Sequence, residues 1–193
     1  MKRSRKLVFR PQLFFKLLAF SVVLVAAAYA TDYVRRHFFL DNFGVVEEGL
    51  IYRSGQPTPH QLEDFVRAHG IRTVINAREP DAPEELMAAE QRTCDALGVR
   101  MVRLPMPGDG RADFEQFDAA LAVLKNPTNL PVLVHCARGS YRSGAIIAAY
   151  RVLVQGRSEK DAIDEMAKYR AHMDRHALTR HLHEYLESRE AGK

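Results

Sequence analysis

The chain has 193 residues, of which 47% are hydrophobic and 27% charged, with a formal net charge of +4. That is enough for one domain with a real core plus a short extension, and the composition excludes a disordered chain. Lys2, Arg3, Arg5, Lys6 and Arg10 carry the excess charge, so the remainder is close to neutral, which argues against a nucleic-acid partner; the two cysteines, Cys94 and Cys136, are too few for a disulfide framework or a cysteine-built zinc site.

In chain order, the first element is the run Leu13 to Ala30, LFFKLLAFSVVLVAAAYA, apolar except for Lys16 and Ser21. The uninterrupted part after Lys16 is about 14 residues, the length of a signal-peptide core, and Ala28-Tyr29-Ala30 has the small-x-small form of a cleavage site. Counted from Leu13, with Lys16 snorkelling, the run is just long enough to span a bilayer. Residues 1–36 are read as a retained membrane anchor, with a cleaved signal and secretion as the alternative; a buried soluble helix fits poorly. The N-terminal cations outweigh Arg35 and Arg36, so the N-terminus should stay cytoplasmic and the remainder face outward, into the periplasm if bacterial.

From residue 41 to 189 the pattern alternates strand and helix. Gly44 to Tyr52 suits a short hairpin and SGQPTP a loop. Thr58 can cap a helix over Pro59–His69, which stops at Gly70. Ile71 to Ala77 suits a buried strand, REPDAP a loop, and Glu84 to Leu97 a helix ended by Gly98. Val99 to Pro105 alternates like a half-buried strand, and MPGDGRAD is a Gly-rich loop. Asp113 can cap a helix to about Lys125, NPTNLP is a turn, and Pro131 to His135 is a fully apolar strand. CARGSYR follows directly, then helices over Ser143–Gln155, Glu159 to about Tyr169 with Ser158 as cap, and Leu178–Arg189. Such alternation predicts an α/β fold with a central, mostly parallel sheet flanked by helices, plus the N-terminal hydrophobic helix.

The stretch HCARGSYRSG lies between the carboxyl end of a strand and the start of a helix, where open α/β folds place their sites. Backbone N–H groups of Ala137, Arg138, Gly139, Ser140, Tyr141 and Arg142 can converge there on an anion, aided by the helix N-terminus. Arg142 adds a full charge and a fork of donors that fits a phosphate face. In that field the Cys136 thiol should titrate low and be nucleophilic. Gly139 lets the backbone pass close to the anion. Ser143 can donate a hydrogen bond to the thiolate as it leaves, and His135 is expected to fix the loop through hydrogen bonds to nearby backbone. A merely buried cysteine is the competing reading. A zinc site lacks a second cysteine nearby, and a CxxC redox motif is absent.

HCARGSYRSG resembles the HCxxGxxR(S/T)G signature of cysteine-dependent protein tyrosine and dual-specificity phosphatases. The stretches NFGVVEEGLIYRSGQPTPHQLEDFVRAHGIRTVINAREPDAP and NPTNLPVLVHCARGSYRSGAIIAAYR are similar to the opening and active-site segments of plant- and fungal-type atypical dual-specificity phosphatases and their bacterial relatives. The resemblance covers about Asn42 to Tyr185. It implies a compact, three-layer dual-specificity-phosphatase-like fold and hydrolysis of phosphomonoesters through a phosphocysteine intermediate, with no metal and no cofactor.

That mechanism needs a carboxylic acid to protonate the leaving oxygen. The family supplies an aspartate from a mobile loop upstream of the signature, which implies Asp109; Asp113 is better explained as a helix cap. Glu79, Asp81 and Glu84 are weaker stand-ins, read as solvated. Arg53 is expected to be a supporting hydrogen-bonder, while Arg138 and Tyr141 face the entrance. His172, His176, His181 and His183 read as a solvated helix face rather than a metal site. The implied partners are a phosphorylated protein or small phosphorylated substrate, and a membrane through the N-terminal segment. Phosphotyrosine or a related monoester is the first substrate class; phosphorylated inositols or lipids, or a phosphate-binding pseudophosphatase, are the alternatives. A Cys94–Cys136 redox pair is a third.

Overall fold

The computed structural model describes residues 11–38, 40–169 and 176–191. It divides into a unit ending at residue 39 and a second unit from Leu40 onward. In the first, α1 (Pro11–Phe38) starts on a proline, whose missing N–H costs nothing in a first turn, and then meets no glycine or proline. Its Phe14–Thr31 stretch has a mean hydropathy of 1.9 and is long and apolar enough to cross a membrane. Ser21 and Thr31 turn their hydroxyls back onto Leu17 O (2.9 Å) and Ala27 O (2.8 Å), so these two hydroxyls are satisfied within the helix.

The second unit is built on five strands: β1 (Gly44–Glu47), β2 (Ile51–Ser54), β3 (Thr73–Asn76), β4 (Arg100–Arg103) and β5 (Val132–His135). They lie in the order β1-β2-β5-β3-β4, antiparallel only between β1 and β2. The mostly parallel sheet matches the expectation. β5 sits in the middle, and its four residues, like those of β2 and β3, are buried. An apolar β-branched run is what a strand covered on both faces requires.

Alternate strand residues feed two cores. Tyr52, Val74 and Leu133 join Leu62, Phe65 and Val66 of α2 (Pro59–His69) and Cys94 of α3 (Glu84–Leu97) on one face. Ile51, Ile75, Val132 and Val134 join α4 (Phe114–Lys125), α5 (Tyr141–Leu153), α6 (Glu159–Lys168) and α7 (His176–Glu190) on the other. The result is three layers, helix on sheet on helix. α5 is the innermost helix, with every residue from Arg142 to Arg151 buried, which accounts for its nearly all-round apolar sequence.

Helix ends follow the expected caps. Thr58 with Gln61 and Asp113 with Gln116 form capping boxes, Ser158 caps α6, and Gly70 and Gly98 close α2 and α3 in the left-handed region. Two boundaries differ from the sequence reading in ways that matter. β2 runs on to Ser54, so Arg53 belongs to a buried strand rather than a strand–loop junction. α5 begins at Tyr141, two residues early, so Arg142 and Ser143 lie in its first turn.

Candidate active site

The site is assembled at the carboxyl ends of β2, β5 and β3. Cys136 follows β5 directly and is 2% exposed. Its Sγ accepts from the Gly139 N–H at 3.2 Å and lies 3.5 Å from Ser143 Oγ. Burial pushes the thiol up, but hydrogen bonds from the Ser143 amide and hydroxyl, the Arg142 charge and the Arg138 amide outweigh it, leaving the thiol below its ordinary range. Cys94 is the contrast: it is buried among apolar side chains near Glu90 and is pushed up to about 12. The two cysteines belong to cores on opposite faces of the sheet, which removes the redox pairing considered from the sequence.

The loop is fixed from outside. Gly139 has φ +67°, and a Cβ there would lie 2.6 Å from Gly55 N and from the Ser54 carbonyl carbon. Arg53 is fully buried beneath the loop, donates from Nη2 to Gly139 O (2.7 Å) and Ser140 O (3.3 Å), and lies 3.9 Å from the centre of the Tyr169 ring. Asn42, itself at φ 47°, donates from Nδ2 to Arg138 O (2.7 Å) and Ser140 Oγ (3.1 Å). The Gln56 N–H donates to Ala137 O at 3.2 Å. Loop carbonyls are thus bonded outward by neighbours while the Gly139 amide faces the sulfur. Arg138 is exposed, and Tyr141 is half-buried and packs against the larger core.

Arg142 pairs through Nη1 with Glu79, whose other oxygen takes Arg78, and Arg103 donates to the Glu79 carbonyl at 3.2 Å. Glu79 is therefore not the solvated loop residue expected from REPDAP. Burial raises it, but hydrogen bonds from Arg78 and Arg142 prevail and bring it down to about 2. A carboxyl held that low is a poor proton donor at neutral pH.

Asp109 lies partly exposed in a turn, where it accepts from the Arg111 N–H (3.0 Å) and pairs with the Arg111 side chain (2.8 Å). Asp113 is engaged in the α4 capping box. Behind the loop, His135 Nε2 lies 2.6 Å from Glu90 Oε1, while Glu90 Oε2 accepts from Gln56 Nε2 and Asn76 Nδ2, both at 2.8 Å. The sequence reading passed over Glu90. Its signal was a carboxylate on the inward side of α3, one turn before buried Cys94. Of the distal histidines, His172 lies outside the described residues, His181 bonds to Ala112 O (2.6 Å) and His183 pairs with Glu159 (2.9 Å).

A family model described as "DSP-PTPase phosphatase fused to NAD+ Kinase" matches residues 36–183. The chain is 32% identical over 120 residues to "Inositol diphosphatase DSP3" of Arabidopsis thaliana, covering 57% of this chain and 53% of that protein. It is 30% identical over 118 residues to "Dual specificity protein phosphatase TpbA" of Pseudomonas aeruginosa, covering 61% and 50% respectively. The chain thus spans about half the length of the curated relatives it matches. Among solved structures, the core catalytic domain of the PP-IP phosphatase SIW14 from S. cerevisiae superposes with a TM-score of 0.65 at 24% identity, over 76% of this chain and 86% of that one. P. aeruginosa TpbA superposes with a TM-score of 0.59 at 25% identity, over 77% and 84%.

Proposed function

The chain belongs to the family of DSP-PTPase phosphatases, and from that premise we propose that it hydrolyses phosphomonoesters through a phosphocysteine formed on Cys136. The observation that supports this most is the surroundings of the sulfur: a buried thiol held below its ordinary range, bonded by Gly139 and Ser143, one turn of loop from Arg142. The Cys136 thiolate attacks phosphorus, the S–P bond forms, and the bond to the leaving oxygen breaks. Arg142 and the loop amides take the charge on the non-bridging oxygens. Asp109 gives its proton to the leaving oxygen, then takes one from the water that cleaves the S–P bond, and Ser143 donates to the departing thiolate.

Three features support Asp109 as the acid. It sits in a turn between Gly108 and Gly110 and is itself partly exposed, Asp113 is committed to a helix cap, and Glu79 is held ionised. Its pairing with Arg111 must open for it to act. The substrate is a phosphorylated protein, with phosphotyrosine first, or a small phosphorylated molecule. Inositol phosphates form the second reading, favoured by the gathering of Arg78, Arg103 and Arg142 around Glu79. Residues 41–189 form the phosphatase domain, and 1–36 act as an uncleaved anchor. The cations before the apolar run keep the N-terminus cytoplasmic and the phosphatase domain outside.

Hydrolysis of an aryl phosphate by the purified protein tests the reaction. Wild type should turn over, Cys136→Ser should not, and Asp109→Asn should lose roughly 100-fold in kcat. Absence of wild-type turnover with oxyanion binding retained would leave the phosphate-binding pseudophosphatase. An unimpaired Asp109→Asn beside a crippled Asp113→Asn would transfer the acid role to Asp113. Phosphotyrosyl peptide and inositol pyrophosphate, compared by kcat/KM, decide between the substrate readings.

A further inference from the structure

Glu90 is 3% exposed, and its nearest partners His135 and Asn76 are fully buried. A carboxylate in such a place is costly unless it is closely hydrogen-bonded. Here three donors close around it: His135 on Oε1, and Gln56 and Asn76 on Oε2. Burial raises this carboxyl, but the His135 charge and the bonds from His135, Gln56 and Asn76 prevail and hold it below the ordinary range, so it stays ionised. An ionised carboxylate only accepts, which places a proton on His135 Nε2.

Each partner leads onward to the phosphate loop. His135 is joined directly to Cys136, and its carbonyl accepts from the Ala77 N–H at 2.8 Å. The Gln56 main chain holds Ala137 O. Asn76 Oδ1 accepts from the Arg78 N–H at 2.8 Å, and Arg78 grips Glu79, which in turn pairs with Arg142. One buried carboxylate on α3 therefore reaches the nucleophile, the first loop carbonyl and the phosphate-binding arginine by three separate routes.

We infer that Glu90 is a positioning residue: by tying His135, Gln56 and Asn76 together it holds the loop in the shape that binds an oxyanion and activates Cys136. This rests on the phosphatase reading of the site, but its test does not use turnover. The alternative is a polar cluster that only knits α3 to the sheet, which would affect stability alone.

The decisive variant is Glu90→Gln in the full chain. Its amide oxygen can serve Gln56 and Asn76 only by turning the NH2 onto His135, which forces that ring to accept at Nε2. Two quantities are read: the pH midpoint of Cys136 alkylation by iodoacetamide, and the affinity for tungstate as an oxyanion probe. Cys94, buried and pushed up to about 12, stays silent in the first. The charged or polar groups facing Cys136 are Arg142 and Ser143 from α5 and Arg53 from β2; those facing Glu90 are His135, Gln56, Asn76 and Cys94. The substitution leaves all of these side chains in place.

The midpoint should rise by about one pH unit, a tenfold loss of thiolate below it. Tungstate binding should weaken about tenfold, since small displacements of a preorganised site are expensive. Gln56→Met removes one arm while sparing the His135 pair, and should shift both readouts in the same direction by less. If Glu90→Gln does not fold, Gln56→Met decides on the same two measurements. Unchanged midpoint and affinity in the folded variants, even with a lower Tm, would overturn the inference. Failure of the phosphatase reading would show separately, as wild type that binds tungstate but hydrolyses no ester.

Discussion

Glu79 and Asp109 occupy successive loops after β3 and β4 and meet different partners. Glu79 lies between two guanidinium groups and is held at about 2, while Asp109 pairs with Arg111 on a partly exposed turn. The Glu79 carboxyl is depressed on folding from an ordinary 4.5, so it contributes stability that is complete above 4.5 and is lost as pH falls towards about 2. Glu79→Gln should therefore be less stable than wild type at neutral pH, with the gap closing as pH falls through that window. Urea unfolding across it measures the difference. Cys136 and Arg142 could be picked out as candidates in the sequence because the chemistry proposed for them depends on spacing along seven residues of chain. Glu79 was not, because its partner is 63 positions away and only the strand order β5-β3 brings the two loops together.

The strand–loop–helix unit of β5 and α5 works because its loop lies directly against the end of β2. At Gly139 the backbone has positive φ and the space is closed by Ser54 and Gly55 main-chain atoms, which cannot rotate away as a side chain would. Gly139→Ala combines an unfavourable conformation with a backbone clash, and should cost at least about 2 kcal/mol. Thermal unfolding would report that loss, and tungstate binding should fall with it because the Gly139 amide is displaced from Cys136. Helix and strand types came readily from periodicity and caps, as Thr58, Asp113 and Ser158 illustrate. The early start of α5 was hidden because Tyr141 and Arg142 resemble loop residues locally. Their helical conformation follows from the packing of α5 in the centre of the larger core.

Across the whole molecule, the unit from Leu40 onward contains both cores and all five strands. A chain of residues 40–193 should therefore keep the aryl-phosphatase activity proposed for the full protein, with a Tm within a few degrees of it, as for a change outside the cooperative core. Calorimetry and steady-state kinetics on the two proteins check this. The apolar stretch of α1 was evident from its composition, whereas the order of the strands was not, since alternation of elements permits several arrangements of a parallel sheet.

The sheet that separates the two cores also separates the two thiols of this chain. The thiolate proposed for Cys136 would be open to peroxide, and a second thiol or a backbone nitrogen can trap the resulting sulfenic acid before it advances to the irreversible sulfinic state. Cys94, sealed beneath the opposite face, is out of reach. A protective disulfide on an oxidised Cys136 would therefore have to form with a thiol outside the molecule, which ties that route to the redox balance of its surroundings.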